Sequence, residues 1–171
     1  MADRAHGKKL FGDERGLVTI EFVIILPIIL AAMFIVYEFG RALLAYEIAS
    51  HDVRDATRYL SRAEAVDFTN TTGGYVLEAE NLAKTGVATT SSVSCPADYP
   101  PSSSSPCHYP WTSSASISVT SSSFSSTNYN TDGTVMQMTA SIPMTLSFLA
   151  FIGVPTAYTL TVSNTAQYIG D

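Results

Sequence analysis

Residues 12–41 read GDERGLVTIEFVIILPIILAAMFIVYEFGR, and this stretch decides the architecture. From Leu17 to Tyr37 its 21 residues are apolar except for Thr19, Glu21 and Pro27. A helix needs about 20 mostly apolar residues to cross the hydrocarbon of a bilayer. The run therefore has the length of a spanning helix, not of a buried core helix. Glu21 is the anomaly in it, because a lone carboxylate in hydrocarbon costs at least about 3 kcal/mol. Either it sits at the headgroup level of an ordinary anchor, or it has a cationic partner.

Just upstream stand Glu14-Arg15-Gly16, followed by Leu17-Val18-Thr19-Ile20-Glu21-Phe22. A cut after Gly16 would make Leu17 the new N-terminus and Glu21 the fifth residue. Pro27 lies within the run, and Glu38-Phe39-Gly40-Arg41 closes it. This arrangement resembles the processing site of type IV pilin-like proteins, and in particular the TadE-like minor pseudopilins of the tight-adherence (Tad) pilus. The resemblance is close over about residues 10–65 and general beyond them. It implies a leader, residues 1–16, removed by a prepilin peptidase at Gly16–Leu17. It also implies assembly through Glu21, Phe22 and Pro27, with Glu38, Phe39, Gly40 and Arg41 as an interface motif. The implied partners are the major pilin, sibling pseudopilins, the inner-membrane assembly platform and the lipid bilayer.

Physical chemistry is compatible with that implication. A free α-amine has a pKa of about 8 and is mostly protonated at neutral pH. In a low dielectric, a cation and a carboxylate that meet offset much of the desolvation each suffers alone. Such a pair acts as a register device more than as a source of stability.

The remaining composition narrows the function further. The chain has 171 residues and a formal net charge of −6, so no basic patch is available for nucleic acid. Arg4, Lys8, Lys9 and Arg15 outweigh Asp3, Asp13 and Glu14 in the leader, which leaves the N-terminal side positive and everything after it acidic. Positive residues favour the cytoplasmic side, so the expected topology is a single pass with the N-terminus in and the C-terminus in the periplasm. An ordinary secretory signal has a shorter apolar region of about 7–15 residues, and only Ala31-Ala32 offers a weak cut here.

Past the membrane the helical pattern continues, with Ala49, Val53, Ala56, Leu60 and Ala63 on one face. The expected element is one long helix over 17–66, transmembrane over 17–40. Glu38, about 32 Å from Leu17 along such a helix, falls near the outer interface, with Tyr37, Phe39 and Tyr46 as anchors. Arg54, Arg58 and Arg62 recur every fourth residue. They read either as a contact for acidic surfaces or, by preference, as a solvated face laced with Asp55 and Glu64.

Residues 67–171 form the expected head. Val76 to Lys84 reads as a short helix closed by Gly86. Its Glu78 and Glu80 are expected to face solvent. Residues 85–134 are dense in Ser, Thr and Pro, and there Cys95 and Cys107 enclose PADYPPSSSSP. On the periplasmic side that pair reads as a disulfide, the alternative being two free thiols. Period-two alternation marks strands over 115–120, 135–142 and 157–168, with Asn164 breaking the apolar face of the last. Thr131-Asp132-Gly133 offers a turn into the second strand, and 144–152 reads as a short helix or a covering loop. The fold class is α+β: a long pilin-like helix packed by a small antiparallel sheet. No nucleophile motif, phosphate loop or metal spacing appears, so neither an enzyme, a cofactor nor a metal is expected. The alternative function is a membrane-tethered binding module that is never processed.

Overall fold

The computed structural model describes residues 14–64, 66–70, 73–97, 105–124, 133–146, 153 and 157–170. Five elements follow in order: α1 (Glu14–Ser61), α2 (Gly74–Thr85), β1 (Ser116–Phe124), β2 (Gly133–Thr145) and β3 (Ala157–Tyr168). The chain divides into two compact units, Met1–Gly40 and Arg41–Asp171, and α1 contributes residues to both. The leader over 1–13, the turn residues Thr131 and Asp132, the loop over 98–104 and the stretch 147–152 lie outside the described residues.

In the first unit α1 is apolar on all sides. Every side chain from Val18 to Tyr37 is exposed except the half-buried Ala31. A helix that is hydrophobic all round needs an apolar surrounding from elsewhere. With a mean hydropathy of 2.7 over its best 18 residues, it is long and apolar enough to cross a membrane. The helix runs through Pro27 without a break. Pro27 has no N–H for the carbonyl of Val23, the residue four positions back, so one helical hydrogen bond is lost.

The second unit is an α+β head. Ala45, Ala49, Val53, Ala56 and Leu60 are fully buried, forming the stripe through which this part of α1 joins the core. The small alanines let the helix backbone approach its neighbours closely. Ala63 lies beyond the helix end, and the chain there is stitched by backbone bonds from Arg62 to Tyr59 and from Ala63 to Leu60. In α2, Val76, Ala79 and Ala83 face the same core. Gly86 ends α2 at φ 75°, a left-handed conformation that suits glycine, and its N–H bonds the carbonyl of Leu82 at 2.8 Å.

The sheet has the order β1-β2-β3, with both pairings antiparallel. Val119, Met136, Met138, Ala140, Ile142 and Val162 turn inward to meet the helical stripes and Trp111. Asn164 pairs with Met138 and is half-buried, so it keeps the inward parity of β3 despite its polarity. Pro143 stands in the middle strand, where a missing N–H is normally costly. The pairing of β1 with β2 stops at Ser141, so Pro143 has a ladder partner only on the β3 side, Thr159.

Two links close the head. Cys95 and Cys107 are joined by a disulfide, with their Cα atoms 5.4 Å apart. At the end of β3, Ile169 N–H donates to the carbonyl of Ser61 at 3.0 Å. Beside it the Tyr168 hydroxyl donates to the carbonyl of Ala63 at 2.8 Å and accepts from the N–H of Val66 at 3.1 Å. Phe68 meets the Tyr168 ring edge-on at 5.5 Å.

Candidate assembly site

The residues singled out by sequence fall into the two units separately. Gly16 and Leu17 lie in the first turn of α1, and their side chains are outside the described set. Glu21 is exposed, and helical spacing puts Val18, Ile24 and Ile25 beside it. A carboxylate thus stands in an apolar surface with the chain's own neighbours offering no counter-charge at those positions. Phe22 is exposed, while Ile29, Ala32, Met33, Val36 and Tyr37 line a shallow apolar groove farther along. This surface can enter lipid or lie against similar helices, and Glu21 can accept a cation there.

The Glu-Phe-Gly-Arg motif splits by burial. Glu38 is only 7% exposed, whereas Phe39 is 67% exposed. A Cβ added at Gly40 would meet nothing within 4 Å, so its place is not dictated by crowding from within the described residues. Arg41 is half-buried, and its Nη2 donates to the carbonyl of Thr145 at 2.9 Å. Tyr109 donates its hydroxyl to the carbonyl of Arg41 at 3.0 Å. Arg41 therefore has a structural task inside the head, anchoring the end of β2. Of the three aromatic residues expected to anchor the helix at the interface, Tyr37 and Phe39 are the most exposed, and Tyr46 is 47% exposed.

Arg54, Arg58 and Arg62 are all exposed, as are Asp55 and Glu64. Arg58 and Arg62 flank an open groove with Tyr59 and Tyr75. The expectation for Glu78 and Glu80 requires correction, since both are half-buried. Glu78 accepts a short hydrogen bond from the Tyr59 hydroxyl, which pushes the Tyr59 pKa up to about 12. Glu80 has its pKa raised by burial, opposed by Lys84 at 3.5 Å. The cause of the misreading is that α2 packs its flank, not only one stripe, against the head.

Sequence reasoning missed the polar hub that fastens the disulfide segment to α1. Asp52 Oδ2 accepts from the buried Trp111 indole at 2.8 Å and lies 2.9 Å from His108 Nε2. The hydrogen bond to Asp52 raises the His108 pKa above its ordinary value, against the opposing effect of burial. Backbone bonds complete the attachment: His108 N–H to the carbonyl of Lys84, and Ser113 N–H to that of Pro96. A second missed residue is Asn81, buried in α2, whose Nδ2 donates to the carbonyls of Thr89 and Ser91. The only signal for either was a polar residue on a buried helix face.

Residues 16–58 match the family model described as TadE-like protein. The matched segment begins at Gly16, takes in Glu21, Pro27 and the Glu38–Arg41 motif, and stops three residues before α1 ends. It is consistent with a TadE-like protein of a Tad pilus system, and the apolar helix with association with a membrane. No curated protein and no solved structure matches the chain significantly.

Proposed function

We propose that this chain, TadE-like over residues 16–58, is a minor pseudopilin that takes part in building a Tad pilus. The reading starts from one observation: an apolar helix exposed on all sides, carrying a single carboxylate four residues past the start of its 21-residue apolar run. In this role the chain is inserted with its N-terminus in the cytoplasm and its head in the periplasm. The prepilin peptidase removes residues 1–16 at Gly16–Leu17. Leu17 then carries a cationic amine, and Glu21 of one subunit pairs with the amine of the next. The apolar surface moves from lipid into contact with the helices of the major pilin and sibling pseudopilins on the inner-membrane platform. The role is assembly and adhesion, with no catalytic step of its own.

Mass spectrometry of the N-terminus, on protein taken from native membranes, tests this. A mature chain that starts at Leu17 supports the pseudopilin role. A start at Met1 or Ala2 leaves an unprocessed anchor and favours a tethered binding module. A start just beyond Ala32 releases the head and defeats both.

A further inference from the structure

We propose that the groove between the end of α1 and the start of α2 is a binding site for an acidic saccharide, a sugar chain whose rings carry carboxylates. Arg58, Tyr59, Arg62 and Glu64, from α1 and the turn after it, line the groove together with Tyr75 from the first turn of α2, and the small Ala63 lies among them. It holds about 560 Å³, within the range of about 300–1,000 Å³ that small-ligand sites occupy.

Three properties of the lining specify the ligand, and the first is charge. Arg58 and Arg62 are exposed four positions apart, and among the described residues neither guanidinium has an ion-pair partner. Guanidinium groups take carboxylates through paired, charge-assisted hydrogen bonds. The second property is an aromatic surface. A helix C-terminus by itself favours cations in its last turn, but it does not account for a ring held beside them. Tyr75 is 39% exposed, and its ring offers an apolar face to the C–H side of a sugar ring.

The third property is the direction of the hydrogen bonds. The Tyr59 hydroxyl donates to Glu78, so toward a ligand its oxygen can only accept. That same bond pushes the Tyr59 pKa up to about 12, and the hydroxyl keeps its proton. The exposed carboxylate of Glu64 also only accepts when ionised. A ligand must therefore bring hydroxyl donors as well as negative charge. An inorganic phosphate or an acidic peptide brings the charge, meets Glu64 as a like charge, and leaves these acceptors unused. A uronate ring brings both, with a carboxylate for the arginines, hydroxyls for Tyr59 and Glu64, and a C–H face for Tyr75. Arg58 lies 17 residues beyond Arg41, about 25 Å along α1, so a membrane surface at the level of Arg41 does not reach the groove.

The test uses the full-length chain with its native disulfide, in nanodiscs of zwitterionic lipid, titrated by calorimetry with oligogalacturonate and with oligomannuronate. Binding is expected for the acids and not for their methyl esters, which keep the rings and hydroxyls without the charge. The double variant Arg58→Gln, Arg62→Gln is expected to weaken binding at least about tenfold, because charge-assisted bonds exceed neutral ones. Tyr75→Ala is expected to weaken it at least about threefold, a loss that a purely electrostatic site does not show. Arg54→Gln removes an exposed cation of the same stripe that lies outside the groove, and is expected to leave the affinity unchanged. Trp111 fluorescence verifies that each variant keeps the folded head. Failure of both acids to bind, equal binding of the esters, or an affinity that ignores Tyr75 or the arginine pair overturns the proposal. So does equal binding of inorganic phosphate, oligoglutamate or anionic vesicles, which makes the groove a plain anion site. None of these readouts depends on cleavage at Gly16, so the site and the pseudopilin role stand or fall separately.

Discussion

Asp52 joins three parts of the head with one oxygen, and its substitution separates two effects. Asp52→Ala leaves the buried Trp111 N–H without its acceptor, a loss of about 2 kcal/mol of head stability. Asp52→Asn keeps an acceptor for Trp111 but removes the charge that holds the proton on His108. The His108 pKa is raised in the folded state, so its contribution is fully present below the ordinary value of 6.5 and is lost as pH rises through the raised one. The native head is therefore expected to weaken as pH climbs above 6.5, while the Asp52→Asn head shows a flatter profile. Because His108 is partly exposed, solvent screening keeps this effect small. Trp111 is the sole tryptophan, so denaturant unfolding followed by its fluorescence reads both variants at the right place.

At the scale of elements, the attachment between β3 and the end of α1 makes the clearest prediction. A Cβ at Gly170 would come within 2.1 Å of the Ala63 carbonyl oxygen and 2.6 Å of the Tyr168 hydroxyl. Backbone must yield there, so Gly170→Ala is expected to open the junction and expose the Ile169 amide to solvent exchange. Tyr168→Phe removes two hydrogen bonds but keeps the ring contact with Phe68, and is expected to cost about 1–2 kcal/mol. Hydrogen exchange at Ile169 and Val66 measures both.

These junctions also mark the limit of what the residues disclose. The inward positions of β2, Met136, Met138, Ala140 and Ile142, are legible because polarity and parity agree. Asn164 looks like an interruption by polarity alone, yet backbone geometry assigns it the same side as Val162 and Ala166. β1 extends to Phe124, four residues past its expected end at Thr120, because Ser121-Ser122-Ser123 has no alternation to read. Pairing with β2 holds those serines in the sheet. The apolar helix with Glu21 is equally plain in sequence, since length and composition define it without tertiary context. The bonds from Asp52 to His108 and from Tyr168 to Ala63 cross 56 and 105 residues, and no local period encodes such meetings.

For the whole molecule, the separation into an apolar unit and a packed head makes the apolar helix and the folding of the head separately mutable. Glu21 is exposed and lies outside the head core, so Glu21→Ala is expected to leave the head's stability unchanged. In the pseudopilin role it also leaves the cut at Gly16 largely intact, while incorporation into an assembly falls. Western blots for the processed chain, with pilus counts by electron microscopy, distinguish these steps. Processed protein accompanied by normal pili would remove Glu21 from the assembly role.

Pro27 leaves the carbonyl of Val23 without its usual donor inside an otherwise regular helix. A carbonyl with no hydrogen bond stretches at higher frequency than its bonded neighbours. An isotopic label confined to that carbon would give a single infrared line displaced from the band of the helix. Its position would report whether lipid tails, a neighbouring side chain or water touches the span at residue 23, turning a missing bond into a vibrational probe of the helix's surroundings.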